Sequence, residues 1–435
     1  MVRVFIDLSK YIFAFLMCFY TFMTFRIFAV KDESERSLKC VQQNLIMFFI
    51  HFTAYAVLFV SEWNMNYVAL YLVQALWLFL YIVLFRTVYK KGNMLLLNNM
   101  CMIMTVGFII ITRLSFGQGV RQFVFIVVGS LLTLTIPVLM QNLKTLRNIP
   151  WLYGVIGIAA LLAVLIAGEL TLGANITLQI GKFISIQPSE FIKIVYVFFI
   201  ASMFNRSTSF ANVVLTTVLA AVHVIILVMS TDLGSALIYF VVYLVMLFVA
   251  TKQFIWVALG LASGTGAAFV AYKMFSHVRV RVQAWRDPWT LIDNQGYQIT
   301  QSLFAIGMGS WFGVGLNQGM PYKIPFVEMD FIFSAVCEEF GIIFSICLIL
   351  LCMNTFMLMM DVGMKSRGSF YRLLAVGLAT AYGFQIFLTI GGGIKFIPLT
   401  GVTLPLVSYG GSSAFSTLIL FAVIQGLYML RMNER

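Results

Sequence analysis

Charged residues are scarce in this chain. Only 10% of its 435 residues are Asp, Glu, Lys or Arg, whereas 61% are hydrophobic, and the mean hydropathy is +0.98. Soluble domains carry roughly 25% charged residues, because their surfaces must be solvated. The low charge excludes a soluble protein of this size, and repeated apolar runs of about 20 residues indicate transmembrane segments.

Histidine and cysteine are also few, and their positions exclude a metal site of the usual spacing. The chain has three histidines, at 51, 223 and 277, and six cysteines, at 18, 40, 101, 337, 347 and 352. All cysteines except Cys40 fall within predicted helices, so we interpret them as small apolar residues. The net charge of +12 is scattered between the helices, which disfavours nucleic acid as a partner and favours anionic lipid headgroups.

The apolar runs are too long and continuous for barrel strands of roughly 10 alternating residues. Since backbone polar groups in lipid must be paired internally, we predict an all-α polytopic membrane protein. The first run, residues 11–30, exceeds a signal-peptide core of about 7–15 residues, so we expect it to remain a helix. Thirteen transmembrane helices are predicted, at residues 9–30, 42–60, 66–88, 93–113, 121–140, 151–168, 188–204, 210–229, 233–250, 254–273, 330–353, 372–390 and 409–430.

The short loops that carry Lys or Arg predict the orientation, because such loops are cytoplasmic. They alternate consistently with thirteen spans, which places the N-terminus outside, the C-terminus inside and residues 274–329 in one long outer segment. Six basic residues then lie on the outer side: Lys182, Arg279, Arg281, Arg286, Lys323 and Lys395. Positive charge on this side opposes the topology rule, so we expect an anionic ligand there, with solvated loop charge as the alternative.

Two acids, Glu328 and Asp330, precede the apolar run that begins at residue 331. Asp330 could cap the following helix through its free N–H groups, and this role is compatible with catalysis. An acid at a membrane surface beside apolar packing tends to have a raised pKa, which suits a general base. The two acids together could also hold a divalent cation.

Three further polar residues stand at or near helix entrances. Asp232 precedes an apolar run and is either a second helix cap or part of a site. Glu190 and Lys193 are three residues apart, so they share one helix face. Each would be very costly alone in lipid, and they form either a structural ion pair or a polar site facing the bundle interior.

The stretch SYGGSS, residues 408–413, opens the last predicted helix. Its small residues allow helices to approach closely. Free N–H groups at a helix start also suit a phosphate. Ser408 and Ser412 are therefore candidate ligand-binding residues.

These features recur in the order and spacing of a known family. The matching stretches are QPSEFIK (187–193), TDLGSA (231–236), Arg281 before Asp287-Pro288, GYQITQS (296–302), GMGSWFGVGL (307–316), DFIFSAVCEEFG (330–341) and PLTGVTLPLVSYGGSS (398–413). Residues 92–435 thus resemble the SEDS family (shape, elongation, division and sporulation), the RodA/FtsW/SpoVE type of peptidoglycan glycosyltransferase. The resemblance implies a ten-helix core with a large extracellular loop at about 274–329, and residues 1–91 form an additional three-helix membrane extension.

The resemblance also implies a function. Asp330 matches the family's catalytic aspartate. Arg281, Lys193, Glu190 and Asp232 match motif positions that line its central cavity. The implied reaction polymerises lipid II into glycan strands with release of undecaprenyl diphosphate, at the extracytoplasmic face of the bacterial cell membrane. The implied partner is a class B penicillin-binding protein, a transpeptidase.

The leaving diphosphate needs neutralising charge. We expect it from Arg279, Arg281 and Lys323, together with a divalent cation, Mg or Mn, for which Glu328 is a candidate ligand. No other cofactor is expected. The role in elongation, division or sporulation stays open.

The chain departs from the family pattern at five positions: Phe326, Glu328, Met329, Gly393 and Lys395. We expect these departures to alter partner contacts or substrate binding. Three alternatives remain: a flippase for lipid-linked precursors, a non-catalytic scaffold of a cell-wall synthesis complex, and a family member that keeps the fold without the activity. Many transporters are built from inverted repeats, and no internal repeat is evident in this sequence.

Overall fold

The structure is a computed structural model that describes residues 2–30, 32–142, 144–171, 174–180 and 184–433. Lys182, expected on the outer side, lies outside the described residues. The same holds for Lys31, in the basic loop 31–41 predicted to be cytoplasmic, and for Arg435, in the C-terminal segment predicted to be cytoplasmic. The described α-helices are α1 (Val2–Ala29), α2 (Glu33–Glu62), α3 (Met65–Val88), α4 (Met94–Leu114), α5 (Phe116–Thr133), α6 (Ile136–Asn142), α7 (Pro150–Ala167), α8 (Pro188–Arg206), α9 (Phe210–Met229), α10 (Leu233–Thr251), α11 (Phe254–Met274), α12 (Ser276–Arg286), α13 (Tyr297–Gly309), α14 (Ile332–Lys365), α15 (Ser369–Gly393) and α16 (Gly411–Asn433).

The all-α polytopic fold is confirmed. Within the described part of the chain, twelve segments are long and apolar enough to cross a membrane. The remaining predicted helix, 188–204, is present as α8, but Glu190, Lys193 and Arg206 lower its apolarity. Most of α8 is buried among other helices, so its polar side chains are not required to face lipid. The predicted orientation stays a prediction.

A small antiparallel sheet, which was not predicted, connects α7 to α8. Its strands are β1 (Glu169–Thr171), β2 (Ala174–Ile180) and β3 (Ile184–Ile186), in the order β1-β2-β3. Leu178 of β2 pairs with Ile186 of β3. The sequence ANITLQI of β2 alternates strictly between apolar and polar residues, which is the period of a strand.

The long outer segment predicted at residues 274–329 also contains helices. α12 and α13 lie within it, and a short 3₁₀ turn covers Pro321–Lys323. These elements place the basic residues of the segment on ordered backbone.

The chain divides into two compact units. The first contains Met1–Gly129, Arg281–Leu358 and Ile386–Gly410, and the second contains Ser130–Val280, Met359–Gln385 and Gly411–Arg435. The predicted N-terminal extension, residues 1–91, belongs to the first unit. Its predicted boundary with the core, between residues 91 and 92, stays a prediction.

Within the first unit, buried hydrogen bonds join the extension to α4. The Tyr20 hydroxyl of α1 donates to the Asn98 carbonyl at 3.0 Å. The Asn98 side-chain amide donates to the Cys40 carbonyl at 2.9 Å and to Gln43 Oε1 at 3.0 Å, both in α2. Hydrogen bonds between membrane helices stabilise their packing by about 1 kcal/mol each. These contacts therefore fix α1 and α2 against α4.

The helix α14 is interrupted at Gly341, where φ is +84°. A break in a helix leaves backbone N–H and C=O groups unpaired, which is very costly in a membrane. Residues 310–315 supply the partners through four hydrogen bonds: Ile342 N–H to the Ser310 carbonyl (2.9 Å), Ile343 N–H to the Trp311 carbonyl (3.2 Å), Val314 N–H to the Glu338 carbonyl (2.9 Å) and Gly315 N–H to the Glu339 carbonyl (3.1 Å). We call residues 310–315 the inserted segment.

We predict that Gly341→Ala destabilises the protein. A Cβ at Gly341 would lie 2.3 Å from the backbone nitrogen of Gly313, and the left-handed φ adds strain of about 1–3 kcal/mol. The midpoint of thermal unfolding in detergent should fall by several degrees. Gly266→Ala is the control, because nothing lies within 4 Å of a Cβ there. Equal midpoints for the two variants would contradict this description of the break.

Candidate functional site

In the first unit, Asp330 and Arg281 converge at Gly401. A Cβ placed on Gly401 would lie 3.7 Å from Asp330 Oδ2 and 3.9 Å from Arg281 Nη2. Arg281 Nη1 donates to the carbonyls of Leu399 and Thr400, at 3.4 and 3.2 Å. Gly401 has a φ of +77°, a conformation that favours glycine. The turn at Gly401 therefore brings its backbone close to the carboxylate and the guanidinium together.

Asp330 is half-buried and lies just outside the membrane-spanning helix α14, which begins at Ile332. Asp330 thus stands one residue before the cap position. Burial raises the pKa of Asp330 from 3.8 to about 6, Arg281 opposes this shift, and Glu328 adds to it. A carboxyl group with a pKa of about 6 is largely ionised at neutral pH and can still accept a proton. The site can therefore supply a general base.

Ser408 and Tyr409 hold the backbone that leads to Asp330. The Ser408 hydroxyl donates to the Met329 carbonyl at 2.6 Å and accepts from the Leu404 N–H at 2.9 Å. The Tyr409 N–H donates to the Glu328 carbonyl at 2.8 Å. Because Ser408 is only 3% exposed, its observed contribution is to position this backbone. Its predicted contact with a substrate stays a prediction.

The described residues do not by themselves form a cage for a metal ion. No group of three or more His, Cys, Asp or Glu side chains that could hold one occurs among them. One oxygen of Glu328 accepts a hydrogen bond from Gln118 at 3.2 Å, and Asp330 faces a guanidinium. The divalent cation stays a prediction.

Lys323 and Arg279 are exposed. Lys323 lines a pocket of about 450 Å³ together with residues of α13, Met320 and Glu338. Arg279 lies on α12, two residues before Arg281. The expected contacts of both residues with a diphosphate stay predictions.

The second unit contains a buried ion pair with further polar partners. Lys193 Nζ donates to Glu190 Oε2 at 2.8 Å and to Gln385 Oε1 at 2.6 Å. The Ser416 hydroxyl donates to the same Glu190 oxygen at 3.0 Å. Glu190 and Lys193 are 6% and 5% exposed. The predicted ion pair is thus present, and it faces the interior of its helix bundle rather than lipid.

Asp232 of the second unit caps α10 by accepting a hydrogen bond from the Ser235 N–H at 3.1 Å. The Ser189 hydroxyl donates to its other oxygen at 2.9 Å. Burial raises the pKa of Asp232, the hydrogen bonds from Ser235 and Ser189 oppose this shift, and Glu190 adds to it. Asp232 therefore caps α10 and is also close enough to Glu190 to be affected by its charge. Asp232 is a second acid whose pKa is raised by its surroundings.

Ser412 lies in the first turn of α16 and is half-buried. Its hydroxyl accepts a hydrogen bond from the Gln187 N–H at 3.0 Å. Gln187 directly precedes α8, so Ser412 joins the starts of two helices of the second unit.

The sequence was also compared with known proteins. A sequence model of the FtsW/RodA/SpoVE family, described as "Cell cycle protein", matches residues 92–432. The chain belongs to this family. The matched region begins after α3 and includes the convergence at Gly401 and the buried pair in α8.

Curated relatives carry activity names. The chain is 38% identical over 268 residues to "Peptidoglycan glycosyltransferase RodA" of Mycobacterium tuberculosis (strain ATCC 25618 / H37Rv), which covers 58% of this chain and 57% of the relative. The match therefore spans little more than half of the mycobacterial protein. This chain is also 30% identical over 358 residues to "Probable peptidoglycan glycosyltransferase FtsW" of Neisseria gonorrhoeae (strain NCCP11945). That match covers 72% of this chain and 76% of the relative.

Solved structures share the fold. Rod shape determining protein RodA of Thermus thermophilus has a TM-score of 0.59 and 22% identity, and it covers 79% of this chain and 98% of its own. A structure described as "Structural coordination of polymerization and crosslinking by a peptidoglycan synthase complex" has a TM-score of 0.66 and 22% identity, over 78% and 98% of the two chains. The FtsW/RodA/SpoVE fold is thus confirmed by structure as well as by sequence.

Four residues that contact the predicted site residues were not identified from the sequence: Gln118, Gln385, Gly401 and Ser416. Gln385 lies in the apolar helix α15, and Ser416 lies in α16. A polar amide within an apolar run indicates a polar partner, so Gln385 had a usable signal. Gly401 and Gln118 had none, because their roles depend on the three-dimensional approach of distant segments.

We predict that Lys193→Met strongly destabilises the protein. The change leaves the Glu190 carboxylate buried without its cation, which typically costs about 3–5 kcal/mol. Lys365→Met is the matched control, because Lys365 pairs with Asp361 but its side chain is 53% exposed, and such pairs contribute about 0–1 kcal/mol. Thermal unfolding in detergent measures both variants. If both variants lower the unfolding midpoint by a similarly small amount, the Glu190–Lys193 pair does not stabilise the bundle.

Proposed function

We propose that the protein is a peptidoglycan glycosyltransferase that polymerises lipid II into glycan strands, with Asp330 as its general base. The observation that carries the proposal is the convergence of Asp330, with its raised pKa, and Arg281 at Gly401. The activity names of the mycobacterial and neisserial relatives support the reaction class.

The proposed step is a single displacement at the anomeric carbon. The 4-hydroxyl of an acceptor GlcNAc attacks the anomeric carbon of the donor MurNAc while Asp330 accepts the hydroxyl proton. The bond to the diphosphate oxygen breaks, and undecaprenyl diphosphate leaves with the electron pair. The α-linked donor thus gives a β-linked product with inversion. A positioned general base contributes about 10²–10⁴-fold to such a step.

Arg281 has two proposed roles in this step. Its charge lowers the pKa of Asp330 relative to burial alone, so more of the base is ionised at neutral pH. The same guanidinium can stabilise negative charge that develops on the leaving diphosphate, which is often the largest contribution to catalysis. Arg279 and Lys323 are proposed to add positive charge from exposed positions.

The polar cluster of the second unit is proposed to contact the polar part of the substrate. Lys193 is balanced by Glu190 and is also bound by Gln385, so the cluster carries little net charge. Asp232 and Ser412 are proposed to belong to the same binding function. The hydrogen bonds within this cluster support preorganisation, with Glu190 and Lys193 buried and the half-buried Asp232 and Ser412 more accessible.

The proposed site faces the extracytoplasmic side of the bacterial cell membrane, where lipid II is used. The proposed partner is a class B penicillin-binding protein, a transpeptidase that crosslinks the strands. The similar structure described as a complex that coordinates polymerisation and crosslinking supports such a partner. The multi-pass membrane character of the chain agrees with a lipid-linked substrate.

We predict that Asp330→Asn lowers polymerisation by about 10²–10⁴-fold, since an amide cannot accept the proton. The assay uses purified protein in liposomes with lipid II, Mg²⁺ and a co-purified class B transpeptidase, and gels measure glycan strands. Asp293→Asn is the control, because Asp293 is an exposed acid of the same outer segment. We expect it to retain the wild-type rate.

Strand formation by Asp330→Asn at the wild-type rate would contradict the assignment of the base. If the wild-type protein forms no strands with any class B transpeptidase supplied, the proposed reaction is wrong. Transfer of lipid II across the liposome membrane by that same protein would then identify a flippase, and absence of both activities would favour a scaffold.

We predict an acid limb near pH 6 in the polymerisation rate. Asp330 acts as a base only when ionised, so the rate should fall about tenfold per pH unit below its pKa, which is about 6. Because Glu328 raises this pKa and Arg281 lowers it, Glu328→Gln should move the limb to lower pH and Arg281→Gln to higher pH. Rates measured between pH 4.5 and 8 test this, and shifts in the same direction for both variants would contradict it.

A further inference from the structure

The helices α1–α3 lie outside the region matched by the family, which begins at residue 92. We propose that α1, supported by the turn between α2 and α3, spans the break in α14 and thereby holds Asp330 in position. The inference is carried by contacts within the first unit. The stabilisation of the break by α1 is independent of the proposed function, whereas its effect on the reaction through Asp330 rests on that function.

The inserted segment begins with a strained residue that its surroundings must support. Ser310 has a φ of +49°, which is strained for a residue with a side chain, whereas the positive φ values of Gly313 (+83°) and Gly315 (+109°) are ones that glycine adopts readily. A Cβ on Gly313 would lie 2.2 Å from the Glu339 carbonyl oxygen, so the segment is pressed directly against the end of the first half of α14. Residues held in sparsely populated backbone conformations persist only where neighbouring structure holds them there.

α1 contacts the inserted segment directly. The rings of Tyr11 and Phe312 lie 4.9 Å apart between centroids. Ile6 Cγ2 lies 3.3 Å from the position of a Cβ on Gly315. α1 therefore contacts the middle of the inserted segment at Phe312 and its C-terminal end at Gly315.

α1 also contacts α14 on both sides of the break. Phe13 packs edge-on against Phe340, the residue before Gly341, with 5.1 Å between ring centroids. Beyond the break, Cys18 Sγ lies 3.6 Å from Cys347 Sγ, and the Thr21 hydroxyl donates to the Cys347 carbonyl at 3.4 Å. One continuous helix thus bridges the two halves of an interrupted one.

The turn between α2 and α3 supports the residues that follow the inserted segment. Glu62 Oε1 accepts a hydrogen bond from Asn317 Nδ2 at 3.4 Å, and Glu62 Oε2 accepts one from the Tyr67 hydroxyl at 2.9 Å. The Asn317 N–H in turn donates to Glu339 Oε2 at 3.3 Å. Asn317 therefore connects the N-terminal extension to the first half of α14.

A buried ion pair completes these connections. Arg113 of α4 donates from Nε to Glu339 Oε1 at 2.8 Å and from Nη2 to the Gly319 carbonyl at 3.2 Å. Arg113 of α4 and the Asn317 N–H therefore both bind the Glu339 carboxylate. The Arg113–Glu339 pair lies within the matched family region, and the extension adds to it through the contact with Asn317.

The first half of α14 links the break to the candidate base. It runs from Ile332 to Phe340 and begins two residues after Asp330. At 1.5 Å per residue it is roughly 13 Å long, and a rigid secondary-structure element of this kind can carry energetic coupling between two sites. A shift at the break is therefore passed to Asp330, and a misplacement of about 1 Å at a reacting group can cost about 10²-fold in rate.

The test measures hydrogen exchange in the full-length protein in detergent, by mass spectrometry. Tyr11→Ala removes the ring that covers Phe312, and we expect exchange at Val314 and Gly315 to rise about two- to tenfold, the size of an aromatic pair contribution. Tyr11→Phe keeps the ring and should restore wild-type exchange. Phe15→Ala is the control, since Phe15 lies on the same helix and is 70% exposed.

The same variants are then assayed for polymerisation of lipid II. Tyr11→Ala should lower kcat about two- to tenfold, in proportion to its exchange, with an unchanged KM, and Tyr11→Phe and Phe15→Ala should match the wild type. Unchanged exchange in Tyr11→Ala would overturn the bracing of the break. Faster exchange with an unchanged kcat would overturn the link to Asp330. Absence of strands from the wild type would instead count against the proposed function, and the exchange result would still stand.

Discussion

Polar groups within a bilayer must find hydrogen-bond or ion-pair partners inside the protein. Two features of this chain meet that requirement, the buried Glu190–Lys193 pair and the break in α14 at Gly341. The carboxylate of Glu190 and the ammonium of Lys193 neutralise each other and are further bound by Ser416 and Gln385. The break at Gly341 is tolerated because the inserted segment pairs the backbone groups it exposes. Unpaired groups would cost several kcal/mol each in hydrocarbon.

The same requirement sets the chemistry of Asp330. Burial beside an apolar helix start favours the neutral acid, whereas the nearby guanidinium of Arg281 favours the carboxylate, and the pKa settles at about 6. A position fully inside lipid would keep the acid protonated, and a position in water would leave it a weak base. The edge of the membrane, with Arg281 held by the carbonyls of Leu399 and Thr400, gives the intermediate value that a general base needs.

Apolar run length was enough to predict the long helices, because the membrane fixes both their length and their polarity. The Glu190–Lys193 pair was predictable from helical spacing. The convergence of Asp330 with Arg281 was implied only by resemblance. A glycine at position 401 permits a left-handed turn, but the sequence does not indicate which distant side chains that turn approaches. The strand β2 was not predicted, although its seven residues alternate between apolar and polar side chains, because this short pattern lies between two much longer apolar runs that indicate membrane helices. The break at Gly341 depends on hydrogen bonds from a distant segment, which no local pattern reveals.

The most direct test of Asp330 as the base is a cryo-electron microscopy structure of the Asp330→Asn variant with lipid II bound. We predict that the side chain at position 330 lies about 2.6–3.2 Å from the acceptor 4-hydroxyl, the reach of a general base, with the donor diphosphate beside Arg281. An acceptor hydroxyl bound elsewhere in the protein, beyond the reach of that side chain, would contradict the assignment.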